Sequence, residues 1–287
     1  MDSPENPADV VLSAEAESRV EFSDLSERMA LKLGALVRYV ARAHFMTWEK
    51  LRDLPDFDSL EGIFTPLVGM EMQATDIRVT PGELLVARGS SIFGKVLDAE
   101  GRVRNIARDG VHALFRADGE KVGEVRFINV FTRYDKDPVK RKVLEIPAEL
   151  GVGSMPSRVT EPPTVESLLP LNRDPDLPAA EPGVWYYAQT DPNQHVNSLA
   201  YLQVMQDFVA TRLHREGVSM AELWASRARI VFRKPCFRGE EYRRFAWRTG
   251  DSPLVIGGAI AKAEDPAGHL PAAAVELTLQ RHLPRDS

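Results

Sequence analysis

The chain has 287 residues, of which 44% are hydrophobic and 27% charged, with a formal net charge of −6. This balance is that of a soluble globular protein, and its mild acidity argues against general nucleic-acid binding. No apolar run approaches the length of a membrane span, and the single cysteine, Cys236, excludes an intramolecular disulfide and fits a reducing cytoplasm.

Residues 1–18 are acidic and rich in Pro, Ser and Ala, and read as a mobile tail with no signal peptide. Val20 and Phe22 then alternate with charges, which predicts a short strand over Arg19–Asp24. A long amphipathic helix follows, with Leu33, Leu36 or Val37, Val40, His44, Trp48 and Leu51 on its apolar stripe and Pro55 beyond its end. Four strand-like runs come next. They span Ile63–Val79 (bent at Pro66 or Gly69), Glu83–Leu97, Arg102–Ala117 and Glu124–Tyr134, with an Asp118-Gly119 turn between the last two. Residues 148–183 are punctuated by prolines and poor in large apolar side chains, as in a semi-extended linker. Leu168, Leu169 and Leu171 give part of it a way to lie on a domain surface.

The second half repeats the order. A short strand is predicted at Val184–Gln189, a helix at Ser198–Arg215, and strands at Ala228–Arg233, Glu241–Thr249, Leu254–Ala263 (with a bulge at Gly257-Gly258) and Ala273–His282. Strand, helix, four strands, linker and the same again is an internal duplication. A lone helix before a run of antiparallel strands argues an α+β layer, each sheet wrapped on one long buried helix. The domains are therefore 19–147 and 184–287.

One loop concentrates the chemistry. Asp191-Pro192-Asn193-Gln194-His195-Val196-Asn197 packs an acid, carboxamides and an imidazole immediately before the second helix. Asn197 or Ser198 suits the N-cap. A helix N-terminus offers free N–H groups and the positive end of its dipole to an oxyanion. Asp191, Asn193, His195, Val196, Asn197 and Tyr201 resemble the catalytic motif of hotdog-fold acyl thioesterases, and are most similar to the acyl-ACP thioesterases. The resemblance implies two tandem hotdog domains, each an antiparallel sheet around a central helix, and hydrolysis of a fatty-acyl or polyketide-type thioester. Phosphopantetheine or CoA would arrive as part of the substrate, with no resident cofactor and no metal. The implied partners are the thioester and an acyl carrier protein, in a cytoplasmic enzyme that pairs as a homodimer.

Hydrolysis needs an activated water or carboxylate, a group that moves a proton, and donors to the oxyanion. Asp191 suits the first role, as nucleophile or as base. His195 suits the second, and Asn193 suits holding Asp191 or the thioester in register. The amides near Asn197 and Ser198 suit the third, while Tyr201 is either an aid or packing. Overlaying the halves at the end of their first strands places Asp191 on Asp24, and no Asn or His follows there, so only the second half carries the constellation. The first half then shapes the acyl pocket, with Phe45, Met46, Trp48, Phe64, Met70 and Met72 as candidate lining. The family's further acid before a Cys is absent: Pro235 precedes Cys236. Asp191 then works with water alone, or Asp207 assists from the helix. Pro235 and Gly239 instead fit a Pro-x-x-x-Gly turn of simpler hotdog thioesterases. Arg227, Arg229, Arg233, Lys234, Arg238, Arg243, Arg244 and Arg248 offer cations to CoA phosphates or an acidic carrier surface. The alternatives are a hotdog hydratase or dehydratase, whose motif spacing differs here, a non-catalytic acyl- or carrier-binding protein, and a purely structural loop with His195 as a satisfied histidine.

Overall fold

The computed structural model describes residues 11–52, 62–137, 140–145, 162–178, 181–219, 222–265 and 268–281. The first half comprises β1 (Val11–Arg19), α1 (Leu33–Arg52), β2 (Ile63–Phe64), β3 (Leu67–Ala74), β4 (Leu84–Leu97), β5 (Val103–Arg116), β6 (Lys121–Val130) and β7 (Thr132–Arg133). The second comprises β8 (Leu177–Pro178), β9 (Gly183–Val184), α2 (Ser198–Arg215), β10 (Leu223–Phe232), β11 (Glu241–Asp251), β12 (Leu254–Lys262) and β13 (Ala273–Arg281).

One antiparallel sheet runs through both halves in the order β1-β4-β5-β6-β3-β10-β13-β12-β11-β8, with β9 also on β11; β2 and β7 form a separate pair. The order reads as two copies of one arrangement meeting at the β3–β10 seam, where Gln73 faces Arg227 and Gly69 faces Val231. Alternation along the strands gives the sheet its greasy inner face. Met70, Met72, Leu85, Leu114, Val125, Ala228, Ile230, Val275 and Leu277 all point into one core with Leu36 and Val40 of α1 and Met205 and Val209 of α2. That core is continuous across the seam, so the two halves share apolar burial as well as ladder hydrogen bonds.

Several expectations are corrected. The first strand is Val11–Arg19, not Arg19–Asp24, so residues 11–18 are not a free tail; residues 1–10 lie outside the described residues. Of its inward side chains only Leu12 is large and apolar, beside Ala14, Ala16 and Ser18, with Ser13, Glu15 and Glu17 outward, which mutes the period-two signal. Phe22 starts a 3-10 turn over Phe22–Asp24 and is 75% exposed. Likewise only Gly183–Val184 pairs as a strand, and Tyr187–Gln189 is a 3-10 turn. The described part of the linker lies on a domain surface, as expected from Leu168 and Leu169. Val165, Leu168 and Leu169 pack on the outer face of the second sheet against Phe245, Trp247 and Ala259, and Leu177 pairs with Ala246. Gly257 and Gly258 are in regular register, and the bulge falls in β11 between Arg248 and Gly250. They serve close approach instead: a Cβ on Gly258 would lie 2.5 Å from Met205 Sδ, and one on Gly257 would lie 3.0 Å from the Leu168 carbonyl oxygen.

Candidate active site

The polar loop closes on itself before α2. Asp191 N donates to His195 O at 2.8 Å, and Gln194 N donates to Asp191 O at 2.9 Å, with Gln194 at a φ of 66°. One carboxylate oxygen, Asp191 Oδ1, accepts from Asn193 N at 2.9 Å and His195 N at 3.2 Å. These bonds pin the carboxylate and leave the Asn193, Gln194 and His195 side chains on the exposed rim. Asn197 caps α2, its Oδ1 accepting from Leu199 N at 2.9 Å. Its own N–H is committed to Gln189 O at 2.7 Å, so it is not available to an oxyanion. The Ser198 N–H, in the first turn where no intrahelical acceptor exists, is the remaining donor at this end.

The first half contains the same loop in backbone. Leu25 bridges Leu31 as Thr190 bridges Val196. Met29 takes a φ of 65° as Gln194 takes 66°. Ser26 N donates to Ala30 O at 2.8 Å, and Ser26 Oγ accepts from Ala30 N at 3.2 Å, as Asp191 does with His195. The overlay of Asp191 on Asp24 is therefore corrected by two residues. Asp191 matches Ser26, Asn193 matches Arg28, His195 matches Ala30, and Asn197 matches Lys32. The 3-10 turn before each loop is the register mark that pattern alone did not show. Asp24 plays a different part. It is 3% exposed, accepts from Tyr39 Oη at 2.6 Å and pairs with Arg38.

A turn after β10 supports the rim. Val196 N donates to Cys236 O at 2.8 Å, His195 bridges Phe237 in backbone, and the two rings meet edge-on with centroids 5.2 Å apart. Among the described residues the His195 imidazole makes no hydrogen bond. Tyr201 is buried, and its Oη accepts from Cys236 N at 3.1 Å while its ring packs on Trp185 and Phe232. It positions the turn and does not reach into the loop. Cys236 is fully buried, and burial pushes its thiol up from the ordinary range, which suits packing and not attack. Pro235 is exposed on the same turn, and Gly239, at a φ of 83°, closes it with a bond to Trp185 O. Glu240, which sequence reasoning missed, accepts from Phe237 N at 2.9 Å and pairs with Lys262 at 3.0 Å, so a buttress stands behind the Phe237 ring. The signal available was only its place right after the turn glycine.

Asp207 lies elsewhere. Nine residues into α2, it is about 13 Å along the axis from Ser198. Burial pushes its carboxyl up while nearby Arg244 pulls it down. Of the candidate pocket residues, Met70 and Met72 are fully buried core, whereas Phe45 and Phe64 are 61% and 46% exposed. Among the cations, Arg227 meets Glu71, Arg229 forks onto Glu276, and Arg248 pairs with Glu216. Arg233, Lys234 and Arg238 stay exposed on the turn beside His195, with Arg238 over the Tyr187 ring. Among the described residues no three His, Cys, Asp or Glu side chains converge to hold a metal ion, and no helix is long and apolar enough to cross a membrane.

No protein-family model and no curated protein sequence matches the chain. Solved structures do match over nearly its whole length. An acyl-ACP thioesterase from Bacteroides thetaiotaomicron superposes with a TM-score of 0.66 at 13% identity, covering 93% of this chain and 98% of that one. The fold is a double hotdog. A 12:0-ACP thioesterase from Umbellularia californica gives a TM-score of 0.64 at 13% identity, covering 94% and 98% respectively. At such identities the likeness concerns the architecture, and what the site does must be argued from its loop.

Proposed function

We propose that the protein hydrolyses acyl thioesters at the loop before α2. The observation that carries this reading is the duplicated loop. Both halves build the same backbone turn, and a serine suffices to hold it in the first. The acid, amide and imidazole of the second half are therefore not demanded by the fold, yet all stand at one helix N-terminus. Water, held by Asp191 and His195, attacks the thioester carbonyl carbon. A C–O bond forms as its proton passes to one of the two side chains. The oxyanion takes the Ser198 N–H, and the C–S bond then breaks, the thiolate receiving a proton as it leaves. The products are a carboxylic acid and a thiol, with no cofactor consumed.

The exposed Arg233, Lys234 and Arg238 beside the aromatic faces of Tyr187 and Phe237 suit the phosphates of CoA or an acidic carrier domain. Purified protein should release free thiol from a panel of acyl-CoA and acyl-carrier thioesters. His195→Ala should lower kcat by roughly 10²-fold or more, the scale for a positioned acid–base group. No thiol release across the panel would reject hydrolysis. Saturable binding of the same thioesters without turnover would favour the acyl- or carrier-binding reading, which the self-bonded Asp191 carboxylate also suits.

A further inference from the structure

Between the second half of α1 and the inner face of β4 and β5 lies a polar group that the loop chemistry does not use. Arg108, on the central strand β5, is 0% exposed. One terminal nitrogen donates to Ser91 Oγ at 2.9 Å, to the His44 carbonyl at 3.1 Å, and to Thr47 Oγ1. The other lies 3.5 Å from His44 Nε2, and His44 Nδ1 lies 3.1 Å from His112 Nε2. Among the described residues no carboxylate pairs with Arg108. Its Nε and His112 Nδ1 are both buried without a hydrogen-bond partner. Burial holds both imidazoles neutral, His112 down to about 4, so the guanidinium is the one buried charge here and lacks a counter-ion.

The fold does not require this group. With the capping loops in register, Val209 of α2 stands where His44 stands in α1, and Leu213 where Trp48 stands; both are core. Two glycines let the polar side chains pack tightly against the strand backbone. A Cβ on Gly89 would lie 1.8 Å from His112 Nδ1, and one on Gly110 would lie 2.9 Å from Ser91 Oγ. The walls are aromatic: Phe127 is 4.3 Å from His44, and Phe131 is 6.4 Å from Trp48, centroid to centroid. Trp48 covers the guanidinium at 4.4 Å and is itself part-exposed beside the exposed Phe45.

We propose that Arg108, His44 and His112 form a binding site for a carboxylate carried on an apolar body, with Trp48 as its movable cover. A guanidinium matches a carboxylate, the buried Arg108 Nε has no partner of its own, and the aromatic walls take the apolar part. The carboxylate belongs either to a free acid or to the far end of an acyl chain held as a thioester. This inference does not depend on turnover at Asp191.

The test titrates the full chain with octanoate and with uncharged octanamide of the same length, read by calorimetry and tryptophan fluorescence. Octanoate should bind at least about tenfold more tightly, as expected for a hydrogen-bonded charge. The fluorescence change should disappear in Trp48→Phe while calorimetric binding persists. Arg108→Met should abolish the preference, and Arg108→Lys, which keeps the charge but not the fork, should reduce it, so the test survives if one variant fails to fold. Equal binding of acid and amide, no saturable binding of octanoate, or a preference that survives in folded Arg108→Met would overturn the proposal. A non-hydrolysable thioether analogue of an acyl-CoA bearing a terminal carboxylate separates the sources. If Arg108→Met weakens its binding, the carboxylate is that of the chain end; if it binds equally to both proteins while octanoate does not, the ligand is the free acid.

Discussion

The buried imidazoles of His44 and His112 should make folding stability fall steeply between pH 7 and pH 5. Both are held below the ordinary histidine range, first by burial and then by the Arg108 charge. The unfolded chain takes up their protons near the ordinary value of about 6.5, whereas the folded chain does so only near 4 for His112 and lower still for His44. A depressed folded value means that the stabilisation is present above pH 6.5 and is lost as pH falls toward the folded value, because the unfolded state binds more protons throughout that window. For His112 this linkage is about 2 kcal/mol by pH 5. With His44 the pair loses about 2–4 kcal/mol, out of a total that for a domain is typically about 5–15 kcal/mol. Urea unfolding in half-unit steps from pH 7.5 to 5 measures it. The reference is His44→Val/His112→Leu, which removes both titrations and gives α1 the residue type that α2 carries. The difference in unfolding free energy between wild type and variant should shift by that amount across the window. Parallel curves for the two proteins would refute the reasoning.

Gly89→Ala should destabilise by at least about 2 kcal/mol, because the new methyl meets the packed His112 ring; an unchanged melting temperature would contradict the packing described. Tyr201→Phe leaves the buried Cys236 N–H without its acceptor and should cost about 1–3 kcal/mol in chemical denaturation, while a neutral result would show that water replaces the hydroxyl. Cys236 should react with a thiol reagent only after unfolding, and rapid labelling of native protein would contradict its burial. The proposed pairing of chains predicts a native mass near twice 32.0 kDa by light scattering, and a clean single-chain mass would reject it.

Much of the architecture was legible because it rests on periodicity. The stripes of α1 and α2, and the alternation in β4, β5, β6 and β13, follow from burial on one face. What escaped was set by contacts that sequence spacing does not encode. Apart from Leu12, β1 turns only Ala14, Ala16 and Ser18 inward, too small or polar to mark a strand by pattern. The two glycines of β12 answer a neighbouring helix and a docked chain segment, not their own strand. At the site, the motif was readable as a cluster of types and offsets. The commitment of the Asn197 amide to Gln189 and the two-residue shift between the loops depend on the 3-10 turns that precede them, and the Glu240 buttress on the turn after β10. The Arg108 group was invisible for a related reason: His44 fell on an apolar helix stripe, and Arg108 and His112 fell on a strand whose inward face only the paired structure defines.

Asp191, on the proposed reading, is present for chemistry and not for its loop. Asp191→Ser tests this most directly, because the first half shows Ser26 holding the same turn with the same backbone bond. The variant should fold with a melting temperature close to wild type and lose thioester hydrolysis by roughly 10²-fold or more. Full free-thiol release by a well-folded Asp191→Ser protein would contradict the account.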